Sequence, residues 1–197
     1  QERQFWSFKP VTRPPLPQVA DAQQASNPID LFLLAKLEEV ELSFSDPARR
    51  EVLVRRAYLD LTGLPPTPAQ VSDFVASEDP AAYAILIDQL LSSPRYGERW
   101  GRHWLDAAGY ADSEGQTDTD AERPWAYFYR DYVVSAFNKG KPYDQFVREQ
   151  LAGDELINGS FADLSQDQAE QLTGTGFLRM VADGTGAGAG TDEGRNA

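Results

Sequence analysis

His103 is the single histidine of a 197-residue chain, and it stands between Trp100 and Trp104, just ahead of an acidic loop. An imidazole titrates near neutral pH and is the commonest metal-binding side chain. On a helix, Arg99, Trp100, Asp106 and Ala107 lie on the neighbouring turns, so Asp106 could hold one ring nitrogen while the other faces a pocket. Zinc would need several convergent donors, and the chain offers no second histidine and no cysteine. An axial bond to a haem iron needs only one imidazole, so His103, flanked by Trp100 and Trp104, suits that role. The competing reading is a structural histidine bonded to a backbone carbonyl.

The loop ADSEGQTDTDAERP follows. Asp112, Glu114, Asp118 and Asp120 are hard oxygen donors at spacings that could wrap a calcium ion, although they do not keep the register of an EF-hand. The competing reading is a solvated loop that places negative charge ahead of a helix N-terminus. A glycosidase acid and base, with Asp112 and Asp118 as candidates, would require two carboxyl groups facing each other across a cleft. The aromatic series Trp125, Tyr127, Phe128, Tyr129 and Tyr132 spreads around a helix, which suits burial or a platform on which sugar rings stack. Serine-hydrolase chemistry is disfavoured because no GxSxG element occurs.

These residues need a scaffold, and the punctuation of the sequence supplies one. Prolines 10, 14, 15 and 17 predict an extended arm over residues 1–26. Asn27 and Pro28 open a first helix with Ile29, Phe32, Leu33, Leu37 and Val40 at helical spacing. A second helix is expected over residues 47–61, capped by Ser45 or Asp46, with Leu53, Val54, Ala57, Tyr58 and Leu61 inward and Arg49, Arg50, Arg55 and Arg56 mostly outward. Thr67 with Gln70 makes a capping box for a third. Asp79-Pro80 opens a fourth, with the stripe Tyr83, Leu86, Ile87, Leu90 and Leu91. Further helices are expected over 96–108, 124–137 and 143–151, and one more behind the Ser165/Gln168 box. No stretch alternates like a strand. The expected fold is all-α: an irregular bundle of about seven or eight helices over residues 27–180, with the Pro-rich arm before it and a Gly-rich linker or connection at 181–197.

Composition narrows the function further. A formal charge of −13 repels phosphate backbones, so nucleic acid is not an expected partner. With no cysteine there is no disulfide, thiolate nucleophile or covalent haem attachment within these residues. No apolar run approaches the roughly 20 residues of a membrane span, and QERQFWSFKP lacks the regions of a signal peptide. A soluble domain is expected, with any targeting segment removed or never present.

The ordered motifs FWSFKP, NPIDLFLLAKLE, RRAYLDLTGLPPTP, LLSSPRYGERWGRHWLDAAGYADSEG, YRDYVVSAFNKGKPYDQFVREQLAGDEL and TGFLRM resemble the planctomycete-cytochrome-associated domain of unknown function. The resemblance runs from Phe5 to about Ala197. It implies an exported protein, periplasmic or extracellular, in which a helical domain follows a c-type cytochrome module. It also implies haem c attached outside these residues, with His103 and Met180 as possible ligands and His103 preferred. The function so implied is non-catalytic: packing around or positioning a haem module for electron transfer, with a cytochrome module or other subunits as partners. The alternative is a calcium-stabilised scaffolding module that binds carbohydrate or protein.

Overall fold

A computed structural model describes residues 5–113 and 120–180, the side chain of Trp6 excepted, in two compact units, 1–48 and 49–197. In the first unit the four prolines of the arm stand in a stretch without helix, bounded by short 3-10 turns at Trp6–Phe8 and Ala22–Gln24. Helix α1, Pro28–Glu38, starts on a reciprocal cap: Asn27 Oδ1 accepts from the Ile29 and Asp30 amides at 2.8 and 3.2 Å, and Asp30 accepts from the Asn27 amide at 3.1 Å. Two orphan donors of the first turn are satisfied at once. The Ala20 amide donates to Glu38 Oε1 at 2.8 Å and ties the end of the arm to the end of the helix. Leu34 is buried, whereas Ile29, Phe32, Leu33 and Val40 are exposed.

The second unit contains α2 (Arg50–Thr62), α3 (Pro68–Ala76), α4 (Ala82–Leu91), α5 (Pro94–Ala107), α6 (Ala126–Asn138), α7 (Tyr143–Ala152) and α8 (Gln166–Gly174), then a 3-10 turn at Thr175–Arg179. No strand occurs among the described residues. The all-α irregular bundle is as expected, and the Thr67/Gln70 and Ser165/Gln168 boxes both form. No helix among the described residues is long and apolar enough to cross a membrane.

Two details of α2 differ from expectation. It begins at Arg50, with no side-chain cap from Ser45 or Asp46. Arg50 does not point outward: its guanidinium lies 4.4 Å from the Phe74 ring centre and donates to the Phe74 carbonyl from Nε at 3.2 Å and from Nη2 at 2.5 Å. The last carbonyls of α3 lack helical partners, and a cation with several donors satisfies one of them while covering an aromatic face. The helix ends at Gly63, whose φ of 72° gives the left-handed cap that glycine adopts without strain.

Two cores hold this unit together. Val54 and Ala57 of α2 meet Phe74 of α3 and Leu86 and Leu90 of α4. Leu105 of α5 meets Tyr129, Tyr132, Val133 and Ala136 of α6, Phe146 of α7 and Met180. Each large apolar side chain so enclosed contributes about 1.5–3 kcal/mol relative to exposure. Helix α5 packs against α2, α4 and α6 and so touches both cores.

Candidate functional site

The face that α5 turns inward is set by Gly97, Gly101 and Leu105, one helical turn apart and all buried. A Cβ on Gly97 would stand 2.4 Å from the Val134 carbonyl oxygen, so α6 approaches the bare backbone of α5. Asn138, at the end of α6, accepts from the Gly97 amide at 2.8 Å and donates to the Pro94 carbonyl at 3.2 Å. That close seam fixes the rotation of α5, and the rotation separates the three residues on which a haem reading rests.

Trp104 turns toward α6 and α7. Its Nε1 donates to Gln150 Oε1 at 2.8 Å and to the Tyr129 hydroxyl at 3.0 Å, and its ring stands edge-on to Phe146 at 4.9 Å. The Tyr129 hydroxyl donates to Gln150 Oε1 at 2.6 Å, and Gln150 Nε2 donates to the Phe146 carbonyl at 3.1 Å. Burial pushes the Tyr129 phenol up to about 12. Trp104 is therefore an anchor of the core. Trp100 and His103 lie on the outer edge, where Trp100 is 38% exposed and the two rings meet edge-on at 5.4 Å. His103 is exposed, and neither ring nitrogen makes a hydrogen bond to a described residue. Asp106 does not hold it: that carboxylate faces Arg102 at 4.0 Å.

Two hollows among the described residues, of about 630 Å³ and about 300 Å³, are lined by other side chains and not by His103. With both nitrogens unbonded by described residues, the His103 imidazole could serve as a ligand to a group brought to the outer edge of α5. Met180 is buried in the second core.

The base of the acidic loop is pinned on both sides. Ser113 and Glu122 form an isolated antiparallel bridge, and the Arg123 amide donates to the Asp112 carbonyl at 2.8 Å. The Asp112 carboxylate accepts from the Tyr110 hydroxyl at 2.5 Å, and burial together with that bond pushes the phenol up to about 12. Asp112 and Asp120 are exposed, while Glu114 and Asp118 lie outside the described residues. No three acidic, histidine or cysteine side chains converge among the described residues.

A polar cluster that spacing did not reveal lies beneath α6. Glu149 is buried, yet it accepts from the Tyr132 hydroxyl at 2.8 Å and from Gln145 Nε2 at 2.8 Å, and it pairs closely with Lys141. Lys141 also reaches Glu170 at 3.3 Å and lies 4.8 Å from the Tyr132 ring centre. Lys139 donates to the other Glu170 oxygen at 2.6 Å. Burial alone would raise the Glu170 carboxyl, but the two lysines hold it below its ordinary value. Burial and the bond to Glu149 both raise the Tyr132 phenol. The signal was present in α7, where Glu149 and Gln150 follow Phe146 by three and four residues on what should be an apolar stripe.

The aromatic series of α6 divides. Tyr129 and Tyr132 are buried, while Trp125, Tyr127 and Phe128 are exposed and stack in a ladder.

The fold thus defines an all-α domain with two cores. Over residues 28–196 the chain matches the PSCyt2 family model, described as a protein of unknown function (DUF1549), and it belongs to that family. This is the planctomycete-cytochrome-associated domain that its motifs resemble. No curated protein and no solved structure matches the chain.

Proposed function

We propose that this domain is a non-catalytic module of an exported, multidomain c-type cytochrome-like protein, and that it packs against a haem-bearing module to position it for electron transfer. The observation that carries the reading is the outer edge of α5, where an exposed imidazole with both nitrogens unbonded by described residues stands beside a part-exposed indole. Family membership supports it, because the resemblance implies a neighbouring c-type cytochrome module. The rigidity of that edge supports it too. Trp104, on the same helix, is fixed by two hydrogen bonds, and Gly97 and Gly101 lock α5 onto α6, so the edge can hold a docked group without reorganising.

His103→Ala in the complete protein is the test, read by visible absorption and redox titration. Loss of a low-spin haem spectrum identifies His103 as a ligand, and an unchanged spectrum with a shifted midpoint potential identifies it as a contact. A colourless complete protein, or one whose spectrum and potential both ignore His103→Ala and Trp100→Ala, overturns the reading.

A further inference from the structure

Asn27, Asn138 and Asn158, the asparagines of the described residues, stand in different surroundings, and the contrast singles out the segment between α7 and α8. We propose that Asn158 is a site of self-modification, at which the side-chain amide is lost through a cyclic imide formed with the Gly159 nitrogen. This inference does not rest on the haem reading.

The chemistry is an intramolecular acyl transfer. The Gly159 nitrogen gives up its proton and attacks the Asn158 Cγ. The new N–Cγ bond closes the imide ring as the Cγ–Nδ2 bond breaks, and ammonia leaves carrying that proton. Water then opens the ring at either carbonyl, which gives aspartate or isoaspartate. No oxidant, reductant or other reactant is needed, so proximity and access decide where the reaction occurs.

Asn158 meets these requirements. It begins the only Asn-Gly pair in the chain. Glycine has no side chain to crowd the attacking nitrogen, and a Cβ built at Gly159 would meet nothing within 4 Å. Both residues are exposed and lie outside any helix. Neither the Asn158 side chain nor the Gly159 amide is hydrogen-bonded to a described residue. The pair is held only at the Asn158 carbonyl, by a long 3.5 Å bond from Gln168 Nε2.

The other two asparagines are protected. Asn27 Oδ1 is held by the Ile29 and Asp30 amides, and the next residue is Pro28, which has no N–H to attack with. The Asn138 side chain is fixed by the Gly97 amide and the Pro94 carbonyl, and the following amide, of Lys139, donates to the Ser135 carbonyl at 2.9 Å. The fold also tolerates the product. Gln168 belongs to the first turn of α8, so the new carboxylate stands beside a helix start, where the macrodipole favours negative charge.

The test incubates the folded chain at neutral and mildly alkaline pH and follows each asparagine by peptide mass spectrometry, as the amide is replaced by an acid. A synthetic peptide of residues 154–163 sets the unrestrained rate. In the folded chain Asn158 should convert within about threefold of that rate and at least about tenfold faster than Asn27 or Asn138. Two products, aspartate and isoaspartate, should separate by chromatography, and conversion should quicken with pH as the attacking nitrogen loses its proton more readily. The proposal is overturned if Asn158 stays intact while the peptide converts, if Asn27 or Asn138 reacts as fast, or if aspartate forms without isoaspartate, which marks direct hydrolysis.

Discussion

Lys141 and Glu149 form the most enclosed ion pair among the described residues, with side-chain exposures of 9% and 1%. Taking two charges out of water is costly, and the pair persists because Tyr132 and Gln145 supply Glu149 with further hydrogen bonds. Lys141→Met leaves a carboxylate enclosed without its cation, so urea denaturation should show a loss of about 3–5 kcal/mol. Arg148→Met removes a pair with Asp144 on the same helix, but that pair is 69% and 65% exposed, and the unfolding free energy should change by less than about 0.5 kcal/mol. At this scale the sequence was partly legible. It singled out His103, Trp100 and Trp104 as one group, yet α5 sends Trp104 inward and the other two outward, and that rotation depends on α6. It gave no warning of Lys141, because the partners that make its burial tolerable come from α6, α7 and α8.

Helix boundaries were legible wherever the signal was local. Thr67 and Ser165 cap their helices as their spacing to Gln70 and Gln168 indicates, and Asn27 caps α1 ahead of Pro28 as expected. The start of α2 was misplaced because no side chain caps it, and Arg50 was misjudged because its partner, the Phe74 carbonyl, is 24 residues away. The seam between α5 and α6 was not legible in the GERWG segment, because only the facing helix shows what those glycines admit. Gly97→Ala should lower stability by about 1–3 kcal/mol, since the Val134 carbonyl and the Asn138 side chain both obstruct the added methyl. At Gly101 the closest atom, on Val133, would be 3.4 Å away, so Gly101→Ala should be near neutral or slightly stabilising through helix propensity. Thermal melting of the two variants side by side checks the contrast.

For the molecule as a whole, the pH range of stability follows from the enclosed phenols and the lysine-held carboxylate. Tyr129 is raised from 10.0 to about 12 and Tyr132 is raised as well, so the folded state keeps protons that the unfolded chain releases. Their contribution is fully present below the unfolded value of 10.0 and is lost as pH rises through the folded values. Glu170 acts in the opposite direction: its depressed carboxyl contributes above the unfolded value of 4.5, and that contribution is lost as pH falls through the folded value. Melting temperature should therefore decline above about pH 10, while ultraviolet titration shows two or more tyrosines ionising late. A melting temperature that stays flat through that range would contradict the burial of these phenols. Family membership was also legible at this scale, because motifs spread along the chain carry it where no single residue does.

Since α5 touches α2, α4 and α6 alike, it behaves as a keel for the second unit. Whatever grips its Trp100–His103 edge loads both cores together, so a seated partner should slow amide exchange in α2 and α6 in parallel, far outside its own footprint.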